Sequence, residues 1–354
     1  MDLNELYDDA IKLLKEMIST PSFSTQESRT AELLEAWFVK YSIPYQRSNN
    51  NVWAIQKNHE ETKPVVLLNS HHDTVRPAKS YTKDPFNPLI EDGKLYGLGS
   101  NDAGGCLVSL LAVFTYAYHQ DLTYTLVFAG TAEEEINGNQ GISSIIPKLP
   151  VLTAAIVGEP TQMQMAIAER GLLVIDAFIK GTASHAAHPN TDNPILKTAD
   201  FLNKLQKLTF DRISPLLGEV NLSVTQIHAG EQHNAIPDEV HLVIDVRVND
   251  CYSLEEVFTI LAQEFVAARF QARSFRLQPS IVSSAHPLVQ TAEKLGVLTY
   301  GSNTLSDQAL LTCPSVKMGP GNSLRSHTAD EFIYLHEIKE GIQAYINLLY
   351  NLTF

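Results

Sequence analysis

The sequence predicts an α/β fold: a three-layer sandwich around a mostly parallel sheet, with a smaller α+β domain inserted into it. Three observations lead there. The chain has 354 residues, beyond the ~250–300 at which a single hydrophobic core stops growing. Short runs of Val, Ile and Leu alternate with helical periodicity through the first half, as in sheets buried on both faces. From Gly171 the texture changes, and it returns after about Pro279.

Taken in order, Leu6, Ala10, Leu13, Leu14 and Met17 space a first helix from about Glu5 to Ile18, stopped before Pro21. Ser24 with Glu27 three residues on has the form of a capping box for a second helix through Ala31, Leu34 and Phe38. The runs 65–68, 125–128 and 154–157 read as buried strands, with a helix from about Gly105 to Tyr118 between the first two. Beyond Gly171 come a strand at 172–175, a helix at 194–208, strands at 220–227 and 240–247, a helix at 253–269 and a further strand. That is a compact α+β unit. A strand near Val316 and a helix from Leu335 to Leu349 close the chain. The expected domains are therefore 1–170 with 280–354, discontinuous, and 171–279 inserted.

Lys and Arg total 26 against 40 Asp and Glu, a net charge of −14. Such a surface repels nucleic acid and anionic lipid, which excludes both as expected partners. The opening mixes charges with its apolar residues and no long apolar run follows, so neither a secretory leader nor a membrane span is expected. Cys106, Cys251 and Cys313 are isolated and read as three buried small hydrophobes. They fit a reducing, cytoplasmic setting and argue against a thiolate metal site.

Five polar clusters fall where apolar strands end or glycines turn the chain, the place where open α/β sheets bind ligands. His71 and Asp73 lie two apart at a strand end, so a carboxylate on the same face can orient the imidazole. Asp102 follows the Gly97–Gly99 turn, and Glu133-Glu134-Glu135 follows the second strand. Glu159 closes the third strand, and His327 lies near the C-terminus. Singly, each has a plainer reading as a surface pair, helix cap, solvated acid or loop histidine. Together they supply two imidazoles and enough carboxylates for two divalent ions sharing a bridging carboxylate, with one acid spare as a base.

The motifs Ser70-His71-His72-Asp73-Thr74-Val75, Asp84-Pro85-Phe86, Asp92-Gly93-Lys94-Leu95-Tyr96-Gly97, Glu134-Glu135 and Gly158-Glu159-Pro160-Thr161 occur in the order and spacing of a known family. The chain resembles the di-zinc metallopeptidases and deacylases that include acetylornithine deacetylase, succinyl-diaminopimelate desuccinylase, aminoacylase and carboxypeptidase G. That resemblance implies that His71 and Glu159 hold one metal, Glu135 and His327 the other, and that Asp102 bridges them. It also implies a cis peptide at Asp102-Ala103, with Glu134 as general base and Asp73 orienting His71. The inserted, ferredoxin-like domain would be a lid and dimerisation domain. In it His185 would stabilise the oxyanion, and Asn234 and Arg247 would contact substrate. Gly319 and Gly321 would line the pocket for the amino-acid carboxylate. The ligands are oxygen and imidazole, which suits zinc, with cobalt or manganese able to substitute.

Two departures bear on substrate: Leu98 stands where many relatives have Arg, and Gly104 where they have Lys. The run from Lys317 to Glu331 looks most like deacylases of arginine and lysine synthesis. The expected activity is hydrolysis of N-acetylornithine to ornithine and acetate by a cytoplasmic homodimer. N-acylcitrulline or succinyl-diaminopimelate deacylation and dipeptide hydrolysis are the alternatives. A non-catalytic binding protein on this fold would have no need of the spare base Glu134.

Overall fold

The computed structural model describes residues 2–354. The chain forms two compact units. One comprises residues up to Ile167 with Val282–Tyr300 and Ser306–Phe354, and the other Ala168–Ile281 with Gly301–Leu305.

The first unit contains α1 (Leu3–Ile18), α2 (Ser28–Lys40), β1 (Gln46–Ser48), β2 (Asn51–Ile55), β3 (Val65–His71), β4 (Leu89–Glu91) and β5 (Lys94–Tyr96). It continues with α3 (Gly105–Ala117), β6 (Thr125–Thr131), the short α4 (Ile142–Ile145) and β7 (Ala154–Val157), and leaves through β8 (Met165–Glu169). Its main sheet runs β1-β2-β6-β3-β7, then a late strand at Ser315–Lys317, then β8. The centre is parallel: β3 pairs β6 and β7 in parallel, and the late strand pairs β7 the same way. Both faces are covered. Val66, Leu68, Leu126, Phe128 and Ile156 face a core shared with α1, α2 and α3. Val65, Leu67, Val127 and Ala155 face a thinner layer with Ile142 and Ile145 of α4. Burial on both faces is why these strands read as unbroken apolar runs.

The second unit holds β9 (Gly171–Lys180), β10 (Ser184–His185), α5 (Pro194–Leu205), β11 (Asn221–His228), β12 (Ala235–Ile236), β13 (Glu239–Val248), α6 (Leu254–Glu264), β14 (Ala268–Ala272) and β15 (Ser280–Ile281). Its antiparallel sheet is ordered β11-β13-β9-β14, and β10 and β12 form a separate two-stranded ribbon. Phe201 and Leu205 of α5 and Val257 and Leu261 of α6 pack on Leu173, Ile175, Leu242 and Ile244. The remaining elements are α7 (Pro287–Lys294), β16 (Thr299–Ser302), β17 (Ser315–Lys317), β18 (Phe332–Tyr334) and α8 (Leu335–Asn351). β18 joins β5 and β4 in a small antiparallel sheet.

Three expectations need correction. Ser24 and Glu27 form no capping box: the Ser24 hydroxyl donates to Asp73 Oδ2 at 2.7 Å, and Glu27 accepts from Thr25 N at 2.6 Å. The helix expected to reach Arg269 ends at Glu264, because Phe265 and Phe270 pack against Phe201 and the chain re-enters the sheet as β14. Of the cysteines only Cys106 is buried; Cys251 and Cys313 are half-buried.

Candidate metal centre

The centre is assembled at the carboxyl ends of parallel strands. β3 ends at His71, paired in register with Thr131 at the end of β6. Past the ladder the two segments stay together through His72 N, which donates to Thr131 O at 2.9 Å. Asp73 then takes over. Its carboxylate accepts from Glu134 N at 3.1 Å and Glu135 N at 3.2 Å, besides Ser24. Burial would raise its pKa, but His71, and after it the Ser24 hydroxyl, hold it below the usual carboxylate value.

His71 is buried, and its Nδ1 bonds to the backbone carbonyl of Asp73 at 3.0 Å, with the Asp73 carboxylate at 3.4 Å. A donor bond from Nδ1 leaves the lone pair on Nε2. That Nε2 is buried and without a hydrogen-bond partner. Around it stand Asp102 Oδ1 at 3.4 Å, Glu159 Oε1 at 3.8 Å and Glu134 Oε2 at 3.9 Å. Across the site His327 Nε2 lies 3.0 Å from Glu135 Oε2 and 3.5 Å from Asp102 Oδ2. Asp102 thus presents one oxygen to each imidazole.

Its placement comes from a tight turn. Gly99 has φ +74°, which only glycine adopts without strain, and the Asp102-Ala103 peptide is cis. The buried Glu331 carboxylate closes this turn, accepting from Gly99 N at 3.2 Å and from Asn101 N and Asp102 N at 2.9 Å each. Glu159 follows β7 on a loop fixed by Gly158 N donating to Asn69 O at 2.6 Å and Ser70 Oγ donating to Gly158 O at 2.8 Å.

The electrostatics are those of anions crowded without enough cation. Burial first, then Asp102, pushes Glu159 up to about 8. Burial first, then Glu159, Asp307 and Glu135, pushes Glu134 well above the carboxylate range against the pull of His71. Burial would lower His71, yet Asp102, Asp73, Glu134 and Glu159 raise it. Glu135 is the main cause lifting His327 to about 9. Anionic oxygens around an orphaned imidazole nitrogen form a donor set suited to divalent ions. Two trios have ligand atoms within 4.8 Å of one another: His71, Glu134 and Glu159, and His71, Asp102 and Glu135. All five expected ligands therefore meet here. Glu134, expected as the base, stands as near His71 as Glu159 does.

The residues expected to read substrate are placed differently. Gly319 and Gly321 are buried, and their backbone is engaged with Thr161, Gln162 and Met163. A side chain at Gly319 would meet Cys106 Sγ and Glu159 O at 2.6 Å each, so close packing requires this glycine. In the second unit, His185 and Asn234 are exposed neighbours at the β10–β12 ribbon: His185 is the rung partner of Ala235, and Ala186 N donates to Asn234 O at 2.9 Å. Arg247 on β13 is half-exposed, and its guanidinium grips Asp245 in a two-point pair at 2.8 and 3.0 Å. Sequence reasoning gave no part in this site to Ser24, Glu331, Thr131 or Asp307. Ser24 was visible but carried a helix-cap pattern, and Asp307 sits in a short 3-10 turn with no motif around it.

No described helix is long and apolar enough to cross a membrane. The sequence matches the family described as peptidase family M20/M25/M40 over residues 67–351. The fold is similar to that of an aminopeptidase from Bacillus cereus (TM-score 0.79, 16% identity, 99% of each chain covered). It is likewise similar to a tripeptidase from Staphylococcus aureus (0.78, 19%, 97% of each chain). A third likeness is a Bacillus subtilis protein described as a dinuclear metal-binding peptidase of the M20 family (0.74, 17%, 98% of each chain). At these identities the likeness shows the fold.

Proposed function

The chain belongs to peptidase family M20/M25/M40, and from that premise we propose that it is a two-metal amidohydrolase that removes the acyl group from a small N-acyl amino acid. The observation that carries the proposal is the buried, unpartnered His71 Nε2 facing Asp102, Glu134 and Glu159. His71 and Glu159 would hold one ion, Glu135 and His327 the other, and Asp102 both, with zinc the metal the oxygen and imidazole donors favour. Bound divalent ions would polarise the scissile carbonyl and acidify a water.

The chain's own groups supply the rest. Glu134 accepts the proton as water oxygen bonds to the carbonyl carbon, and returns it to the nitrogen as the C–N bond breaks, a role worth ~10²–10⁴-fold. Asp73 keeps His71 in the tautomer whose Nε2 faces the site. We further propose that the chain works as a homodimer in which the ribbon carrying His185 and Asn234 serves the oxyanion, and that Arg247 reads the substrate carboxylate.

N-acetylornithine is the substrate of choice, supported by the resemblance of the Lys317–Glu331 run to deacylases of that class. The test is a hydrolysis panel of N-acetylornithine, N-acetylcitrulline, succinyl-diaminopimelate and dipeptides with the zinc-loaded chain. The highest kcat/KM should fall on N-acetylornithine. Activity confined to dipeptides would overturn the deacylase reading.

A further inference from the structure

One buried acid near the centre has no part in this mechanism. Asp307 opens a short 3-10 turn, Asp307–Leu310, and is buried. Its Oδ2 accepts from Thr131 Oγ1 at 2.8 Å. With the Asn69 amide turned so that both its ends find partners, Nδ2 also donates to Asp307 Oδ2, at 3.2 Å. The turn is anchored next door, where Gln308 Nε2 donates to Ser315 O on β17 at 2.8 Å.

The two residues that Asp307 joins stand on different strands. Asn69 is on β3, two before His71 and hence on the same face of the sheet. Thr131 ends β6 and is His71's partner in register. Asp307 therefore bonds side chains of both strands, at the last rung that β3 and β6 share and two residues before it. Beyond that rung the ladder ends, and one segment carries Asp73 and the other Glu134 and Glu135. Asp73 clamps the departing segments on the far side of the rung, and Asp307 clamps the strands just before it.

We propose that Asp307 is a positioning residue that ties the ends of β3 and β6 through Asn69 and Thr131, fixing His71 relative to Glu134 and Glu135. A hydroxyl and an amide, each bonded to one buried carboxylate oxygen, cannot shift independently without leaving a buried polar group unpaired. The tie thus transmits to the ligands as an orientation constraint, and outer partners of this kind typically change metal affinity 10–100-fold.

The inference rests on the two-metal reading, and the experiment separates the two. Full-length wild type, Asp307→Ala, Thr131→Val, Thr131→Ser and the Asp307→Ala/Thr131→Val double variant are stripped and titrated with cobalt(II). Visible absorption and affinity are read without substrate, then kcat and KM with it. Asp307→Ala and Thr131→Val should each weaken cobalt affinity ~10–100-fold, alter the absorption bands and lower kcat more than KM. Thr131→Ser, which keeps the hydroxyl, should restore the wild-type spectrum. The double variant should be no worse than the worse single one, because both cut the same tie. Thr131→Val is nearly isosteric, so it decides the matter should Asp307→Ala fail to fold. Wild-type spectrum and affinity in Thr131→Val, or losses that multiply in the double variant, would overturn the role. A wild-type chain that takes up no cobalt would overturn the functional reading and this inference with it.

Discussion

Replacing Glu331 tests how the Asp102 turn is held. The residue is 2% exposed, and its carboxylate takes three backbone amides, Gly99, Asn101 and Asp102. Burial and the Asp102 charge push its pKa up to about 8 against those donors. Glu331→Gln can keep Oε1 on the Asn101 and Asp102 amides but turns an NH2 group toward Gly99 N–H. One buried donor is then unpaired, at a cost of ~1–3 kcal/mol. Glu331→Ala strands all three amides, and even with water entering, a loss of ~3–6 kcal/mol is expected. Against a total stability of ~5–15 kcal/mol that is severe. Urea unfolding of the metal-free chain measures the cost, and zinc competition measures the effect on the centre. The Gln variant should remain folded with its midpoint lowered and its zinc affinity reduced ~10–100-fold. A Gln variant with wild-type midpoint and affinity would refute the view that these three bonds set the turn.

Other consequences are independent of that one. Glu134→Gln should abolish turnover while two metals stay bound; metal loss measured alongside kcat would mean that Glu134 is a ligand. Arg247→Ala should reduce kcat/KM on N-acyl amino acids far more than on the same compounds as amides, and equal losses would leave Arg247 only its pair with Asp245. In the second unit, Arg273 and then His241 hold Asp176 at about 2, below its usual 3.8. A depressed carboxylate stabilises above its unfolded pKa and loses that contribution as pH falls through the folded one. Asp176→Asn should therefore be less stable than wild type at neutral pH, with the gap closing as the pH falls toward 2. A gap constant in acid would count against the pair.

The polar cluster at the strand ends was legible in the sequence because chemistry and topology coincide there. Buried parallel strands announce themselves as apolar runs, so the acids and imidazole just beyond them are exposed as a set. The residues that hold that cluster in place were hidden for the opposite reason. Glu331 bonds backbone amides some 230 positions away, which leaves no trace in side-chain pattern. Asp307 joins Thr131 across 176 positions. Ser24 and Glu27 carry the spacing of a helix start, and that local signal concealed a tertiary bond to Asp73. The pair of Arg247 with Asp245 was readable: residues two apart on a strand share a face. The early end of α6 was not, since the Phe265–Phe270 stretch stays apolar whether helical or extended, and only packing on Phe201 decides.

We propose that His71, Asp102, Glu134, Glu135, Glu159 and His327 form a two-ion hydrolytic centre. Metal content and N-acetylornithine hydrolysis measured together during zinc titration of the chelator-stripped chain test it most directly. The stripped chain should hydrolyse nothing, and activity should rise with zinc and level off at two ions per chain, with both signals lost in Asp102→Ala. Hydrolysis that persists without metal, or zinc uptake unchanged by Asp102→Ala, would contradict it.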